Sequence, residues 1–111
     1  MIISTESLEG DITKVLLDGR LDIAGAAAID LRMNVIAGNA KALLIDLSNV
    51  SFLGSMGLRS ILVPAQNIRR RGGKVALLNP VIMVEQVLKA SNIDQVIPIF
   101  HELDAAVAAL R

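Results

Sequence analysis

A chain of 111 residues is the size of one compact domain, and a composition 53% hydrophobic and 20% charged provides a buried core and excludes disorder. Eleven Lys and Arg balance eleven Asp and Glu, so no overall field draws the chain to DNA, RNA or an anionic membrane. Phe52 and Phe100 are the only aromatic residues and cysteine is absent, which leaves no base-stacking platform, thiolate catalysis, disulfide or thiolate metal site. Residues 1–10 carry Glu6 and Glu9 and no basic, then apolar, signal pattern, and no apolar run approaches the ~20 residues of a membrane helix. The expectation is one cytoplasmic domain over residues 1–111.

In chain order, Ile2 to Leu8 and Ile12 to Asp18 flank the turn cluster Glu9-Gly10-Asp11 and predict an antiparallel hairpin. Gly19-Arg20-Leu21-Asp22 then leads into an alanine-rich helix over 24–37, capped near Asp22 and closed by Gly38-Asn39. Ala42-Leu43-Leu44-Ile45 is a continuous apolar run ended by Asp46, the pattern of a central strand buried on both faces. From Met56 onward, Leu58, Ile61, Leu62, Ala65 and Ile68 form an amphipathic helical stripe that stops at Gly72-Gly73, with a kink expected at Pro64. Lys74 to Leu78 predicts a strand, Asn79-Pro80 a helix cap with proline behind it, and Val81 to Ala90 a short helix. Gln95 to Phe100 reads as a strand that Pro98 demotes to an edge, followed by a terminal helix striped by Leu103, Ala106, Val107 and Leu110. The order β-β-α-β-α-β-α-β-α predicts an α/β domain with a mixed sheet, its later strands parallel through right-handed crossovers.

No dinucleotide fingerprint or P-loop is present, because Gly72-Gly73 ends a helix rather than opening one. His101 is the sole histidine, and neither a triad nor a metal constellation can be completed around it, so it reads as a surface or helix-start residue. No catalytic residue, metal or cofactor is assigned. In open α/β sheets function gathers beyond the carboxyl ends of the parallel strands, which directs attention to the segment after Asp46. There Ser55 stands before the amphipathic helix at the expected N-cap, where a hydroxyl satisfies an orphan amide. A phosphate on Ser55 would face the positive end of the helix dipole, and Gly54 and Gly57 either leave room for another backbone or a kinase cleft or serve turn geometry and close helix packing. No acidic residue lies between Asp46 and Glu85, while Arg59, Arg69, Arg70, Arg71 and Lys74 do. Arg69 to Arg71 complement a helix C-terminus, which leaves Arg59 as the functional candidate. Asp22 has a cap as its structural role.

The run Asp46-Leu47-Ser48-Asn49-Val50-Ser51-Phe52-Leu53-Gly54-Ser55-Met56-Gly57-Leu58 resembles the signature of STAS domains, as found in bacterial anti-sigma factor antagonists. Gly19-Arg20-Leu21-Asp22 and Arg71-Gly72-Gly73-Lys74 extend the resemblance to nearly the whole chain. The resemblance implies a STAS-like mixed β-sheet packed with about four helices. It also implies that Ser55 accepts phosphate from an anti-sigma factor that is itself a serine kinase of histidine-kinase-like ATPase fold. By the same resemblance the unphosphorylated form binds that kinase and frees the sigma factor. Asp22, Gly54, Met56, Gly57, Leu58 and Arg59 would lie on the partner-binding face, with contact to nucleotide near Ser55. Many antagonists carry aspartate directly before the phosphorylated serine, where this chain has Gly54, and Met56 replaces a small residue.

Two other functions fit the same residues. One is an accessory or scaffold subunit of a transporter or stress-signalling complex, in which Ser55 is only a cap. The other is phosphoryl acceptance on Asp46 in the manner of a response regulator, against which stands the lack of paired acids on the first strands to hold magnesium. Leu53, Met56 and Leu58 are candidate interface anchors.

Overall fold

A computed structural model describes residues 1–111. Strand β1 (Ile2–Leu8) pairs antiparallel with β2 (Ile12–Leu21) across a turn in which Gly10 and Asp11 take positive φ. Helix α1 (Ile23–Asn39) crosses to β3 (Ala42–Leu53), α2 (Ser55–Arg70) to β4 (Lys74–Leu78), and α3 (Ile82–Ala90) with a 3₁₀ turn (Ile93–Gln95) to β5 (Ile99–Phe100). Helix α4 (Leu103–Leu110) ends the chain. The sheet order is β1-β2-β3-β4-β5, with β2 through β5 parallel, so the mixed sheet and the element order are those the sequence predicts.

The alternation of β3 divides the core between the two faces of the sheet. Leu43, Ile45 and Leu47 join Val15, Leu17, Val75 and Leu77 under α1, α2 and α3, which contribute Ile29, Met33, Ile61, Ile68, Val84 and Leu88. Leu44 and Ala42 face the other way, with Ile12, Ala76 and Leu78, and pack under Ala106 and Leu110 of α4. β3 is central and buried, as its apolar run requires.

Several boundaries differ from the sequence reading. β3 does not end at Asp46 but runs on to Leu53, and β2 runs past Asp18 to Leu21. The reason is local: Asp46 Oδ1 accepts from both the amide (2.9 Å) and the hydroxyl (2.6 Å) of Ser48, while register shifts between Leu16 and Asp18 and between Gly19 and Arg20 let the ladder resume. A polar pair that looks like a strand end is an irregularity inside a long ribbon. Asn79 is not a helix cap; it sits in the left-handed region (φ 53°) at the exit of β4, its amide donating to Phe100 O at 2.7 Å, and Val81 is the cap of α3. Asparagine tolerates that conformation because its short polar side chain carries little steric penalty there. The predicted strand over 95–100 shrinks to Ile99–Phe100, since residues 93–95 coil into the 3₁₀ turn and Pro98 has no amide to donate. Helix α2 continues through Pro64 to Arg70, and Gly72 at φ 81° closes it.

Candidate functional site

The overshoot of β2 and β3 creates the site. Their last paired residues, Leu21 and Leu53, lie side by side, so Asp22-Ile23 and Gly54-Ser55 leave the sheet together and start α1 and α2 on one rim. Leu21 O accepts the amide of Gly54 at 3.0 Å, which fixes that crossing. Gly57 packs against the same point: a Cβ there would lie 2.5 Å from Leu21 O and 2.7 Å from Leu21 Cβ. Absence of a side chain at Gly57 is what lets the first turn of α2 sit on the end of β2.

Ser55 is not the N-cap. Gly54, extended at φ −103° and ψ −178°, takes that place, with its carbonyl accepting Leu58 N–H at 2.9 Å and its amide held by Leu21. Helix geometry begins one residue early, and Ser55 becomes its first residue, exposed, with its hydroxyl free of any cap bond. No acidic residue lies in that turn, so the partial positive charge of the helix start is uncompensated.

Asp22 does cap its helix. Its Oδ1 accepts the Gly25 amide at 2.8 Å and its Oδ2 lies 3.5 Å from Arg20 Nε. The Gly25 amide holds the carboxyl below its ordinary value; desolvation opposes it, and the hydrogen bond and charge of Arg20 add to the lowering. The guanidinium of Arg20 in turn stacks 4.4 Å from the centroid of Phe52. A depressed carboxylate contributes stability that is complete above its unfolded value near 3.8 and is lost as pH falls through the lower folded value. Asp22→Ala is expected to lower the melting temperature at neutral pH, and Asp22→Asn, which keeps the cap but not the charge, to lower it less. The gap between wild type and Asp22→Asn should close in acid below the folded value; circular dichroism melts across pH check both.

Of the other predicted site residues, Met56 and Arg59 are exposed and Arg59 makes no ion pair, whereas Leu58 packs half-buried against the core. Leu53 is 4% exposed and belongs to the core, so it is no interface anchor. Its position at the end of β3, facing inward with Val50, explains the difference. The structure brings to the rim residues that the sequence reading passed over: Arg20 and Phe52, and Ile23, which is 75% exposed. An apolar side chain directly after a capping aspartate was the available signal for Ile23. Asp46 lies away from this rim, tied to Ser48 and 3.5 Å from Lys14 Nζ. His101 Nε2 meets Glu85 Oε1 at 2.6 Å, and this contact, with Lys89 behind it, holds the Glu85 carboxyl below its usual value.

With that geometry in place, comparison with known proteins places the chain. A family model described as STAS domain matches residues 4–106. The anti-sigma-F factor antagonist RsfB of Mycobacterium tuberculosis is 29% identical over 96 residues, which span 86% of this chain and 78% of that protein. The crystal structure of an anti-sigma factor antagonist from Mycobacterium paratuberculosis matches with a TM-score of 0.87 at 26% identity, over 99% of this chain and 93% of that one. The phosphorylated form of the Bacillus cell fate determinant SpoIIAA matches with a TM-score of 0.74 at 20% identity, over 99% of this chain and 100% of that one, a likeness of fold.

Proposed function

This chain belongs to the STAS domain family, and from that premise we propose that it is an anti-sigma factor antagonist: a non-catalytic binding module that engages an anti-sigma factor and is switched off by phosphate on Ser55. The observation that carries the switch is the placement of Ser55, exposed and uncapped at the first position of α2 on a rim without acids in its turn. A phosphate there gains the first-turn amides and the helix dipole, so the fold tolerates it, while ~1.5 to 2 added negative charges change what the rim can dock. Gly54, which stands where many antagonists have aspartate, keeps the approach to Ser55 open. RsfB and the Mycobacterium paratuberculosis protein bear the antagonist name, and SpoIIAA of the same fold has a phosphorylated form, all of which support this reading.

The test is incubation of the purified chain with ATP and an anti-sigma factor of histidine-kinase-like ATPase fold, followed by mass spectrometry of the peptide containing Ser55 and by binding of each form to that kinase. One phosphate on Ser55, absent from Ser55→Ala, with binding lost on modification, is the expected result. An active kinase that binds the folded chain yet leaves Ser55 unmodified would overturn the switch and favour a constitutive scaffold.

A further inference from the structure

Beside the Ser55 rim, α1 and α2 are separated by a polar cleft of about 260 Å³ whose walls include Asp30 and Asn34 from α1 and Met56, Arg59, Ser60 and Pro64 from α2. Three features distinguish it from an ordinary interhelical groove. Opposite charges, Asp30 and Arg59, line it from different helices, yet neither is within 4.0 Å of the other or of any other ionic partner. Ser60, only 3% exposed, turns its hydroxyl to Asp30 Oδ1, with Met56 O, already bonded in the helix, also in reach at 3.1 Å; Asp30 Oδ2 is left with no protein donor. Pro64 has no amide, so the carbonyl of Ser60 lacks the donor four residues on that a helix normally supplies.

The cleft therefore has surplus acceptors around Asp30 and Ser60 and an unpaired guanidinium at Arg59. We propose that it binds a small zwitterion of amino-acid size, its ammonium group held by Asp30 and the Ser60 carbonyl and its carboxylate by Arg59. An ammonium brings three donors and no acceptor, which matches the acceptor-rich wall. A carboxylate accepts the guanidinium in a two-point fork, and the Asn34 amide at the rim adds a further donor. A lone cation or anion answers only one wall and meets a charge of its own sign on the other. The volume lies just below the usual range of ligand sites and suits a molecule of a few heavy atoms. Ligand in this cleft touches Met56 and Arg59, so occupancy reports directly to the face proposed for partner docking. The binding itself does not depend on Ser55 or on any partner.

Titration of the isotopically labelled, unphosphorylated chain with L-alanine, β-alanine and γ-aminobutyrate, followed by amide chemical shifts, tests the site without a kinase. Saturable shifts at Asp30, Asn34, Arg59 and Ser60 are expected with at least one of these zwitterions, and none of comparable strength with acetate or methylammonium alone. Asp30→Asn and Arg59→Gln should each weaken Kd by roughly tenfold, about 1.4 kcal/mol; Arg59 is exposed, so its variant remains a folded test if loss of the Ser60 contact perturbs the other. Equal shifts with either single-charge probe, unchanged affinity in Arg59→Gln, or no saturable shifts with any of the three zwitterions would each overturn the assignment.

Discussion

Gly57→Ala is expected to destabilise the fold by ~1–3 kcal/mol, even though alanine is the better helix former. The new Cβ would sit 2.5 Å from Leu21 O, 2.7 Å from Leu21 Cβ and 2.9 Å from Leu53 Cδ1, and two of those three atoms belong to the last residue of β2. Backbone at the end of a paired strand cannot swing aside as a flexible side-chain tip does, so α2 must tilt off the sheet. The propensity gain of up to ~1 kcal/mol is smaller than that overpacking. Gly38→Ala, in the last turn of α1, is the matched control: nothing lies within 4 Å of its Cβ, so only the propensity gain remains and the melting temperature should rise. At roughly 4–8 °C per kcal/mol for a domain near this size, the two variants should melt on opposite sides of wild type by a margin calorimetry resolves easily. A neutral or stabilising Gly57→Ala would mean that the rim is looser than its contacts imply.

Tight packing of this kind was only partly legible in the sequence. The hairpin, the helix over 24–37, the central run at Ala42 to Ile45 and the strand Lys74–Leu78 follow from turn residues and periodicity, which act locally, although Gly38-Asn39 does not stop that helix, which runs to Asn39. Asp22 was readable as a cap because cap chemistry is also local, and its Oδ1 does accept Gly25 N–H. Ser55 was assigned the same role and lost it, because the amide of Gly54 is captured by Leu21 from another strand. That contact spans residues far apart in the chain, and no pattern around Ser55 encodes it. Asp46 misled for a similar reason: its carboxylate satisfies Ser48 inside a strand, where the sequence offers only a charge after an apolar run. The α1–α2 cleft was invisible for the strongest version of that reason, since Asp30 and Ser60 meet only when the two helices pack.

The remaining large effect concerns the rim itself. Ile23→Asp and Met56→Asp are each expected to weaken anti-sigma factor binding by at least ~2 kcal/mol, roughly thirtyfold in Kd, with the melting temperature nearly unchanged. Ile23 is 75% and Met56 40% exposed, so neither supports the core, and both stand in the first turn of helices that start together from Leu21 and Leu53. Apolar side chains flanking Ser55 give a partner surface to desolvate, and an introduced carboxylate places beside Ser55 a charge of the sign that phosphate would bring. Ile82, 78% exposed at the start of α3, is the control. Its helix leaves from the end of β4 at Leu78, paired with Asp46, and β3 continues from there to Leu53, roughly 20 Å of extended chain. Ile82→Asp should therefore leave partner affinity within about twofold of wild type, the range in which most surface substitutions away from an interface fall. Calorimetric titration of the three variants against the same kinase decides the matter: a loss confined to Ile82→Asp would move the docking face to the β4 end of the sheet, away from Ser55, and the phosphate switch would then have no surface to act on.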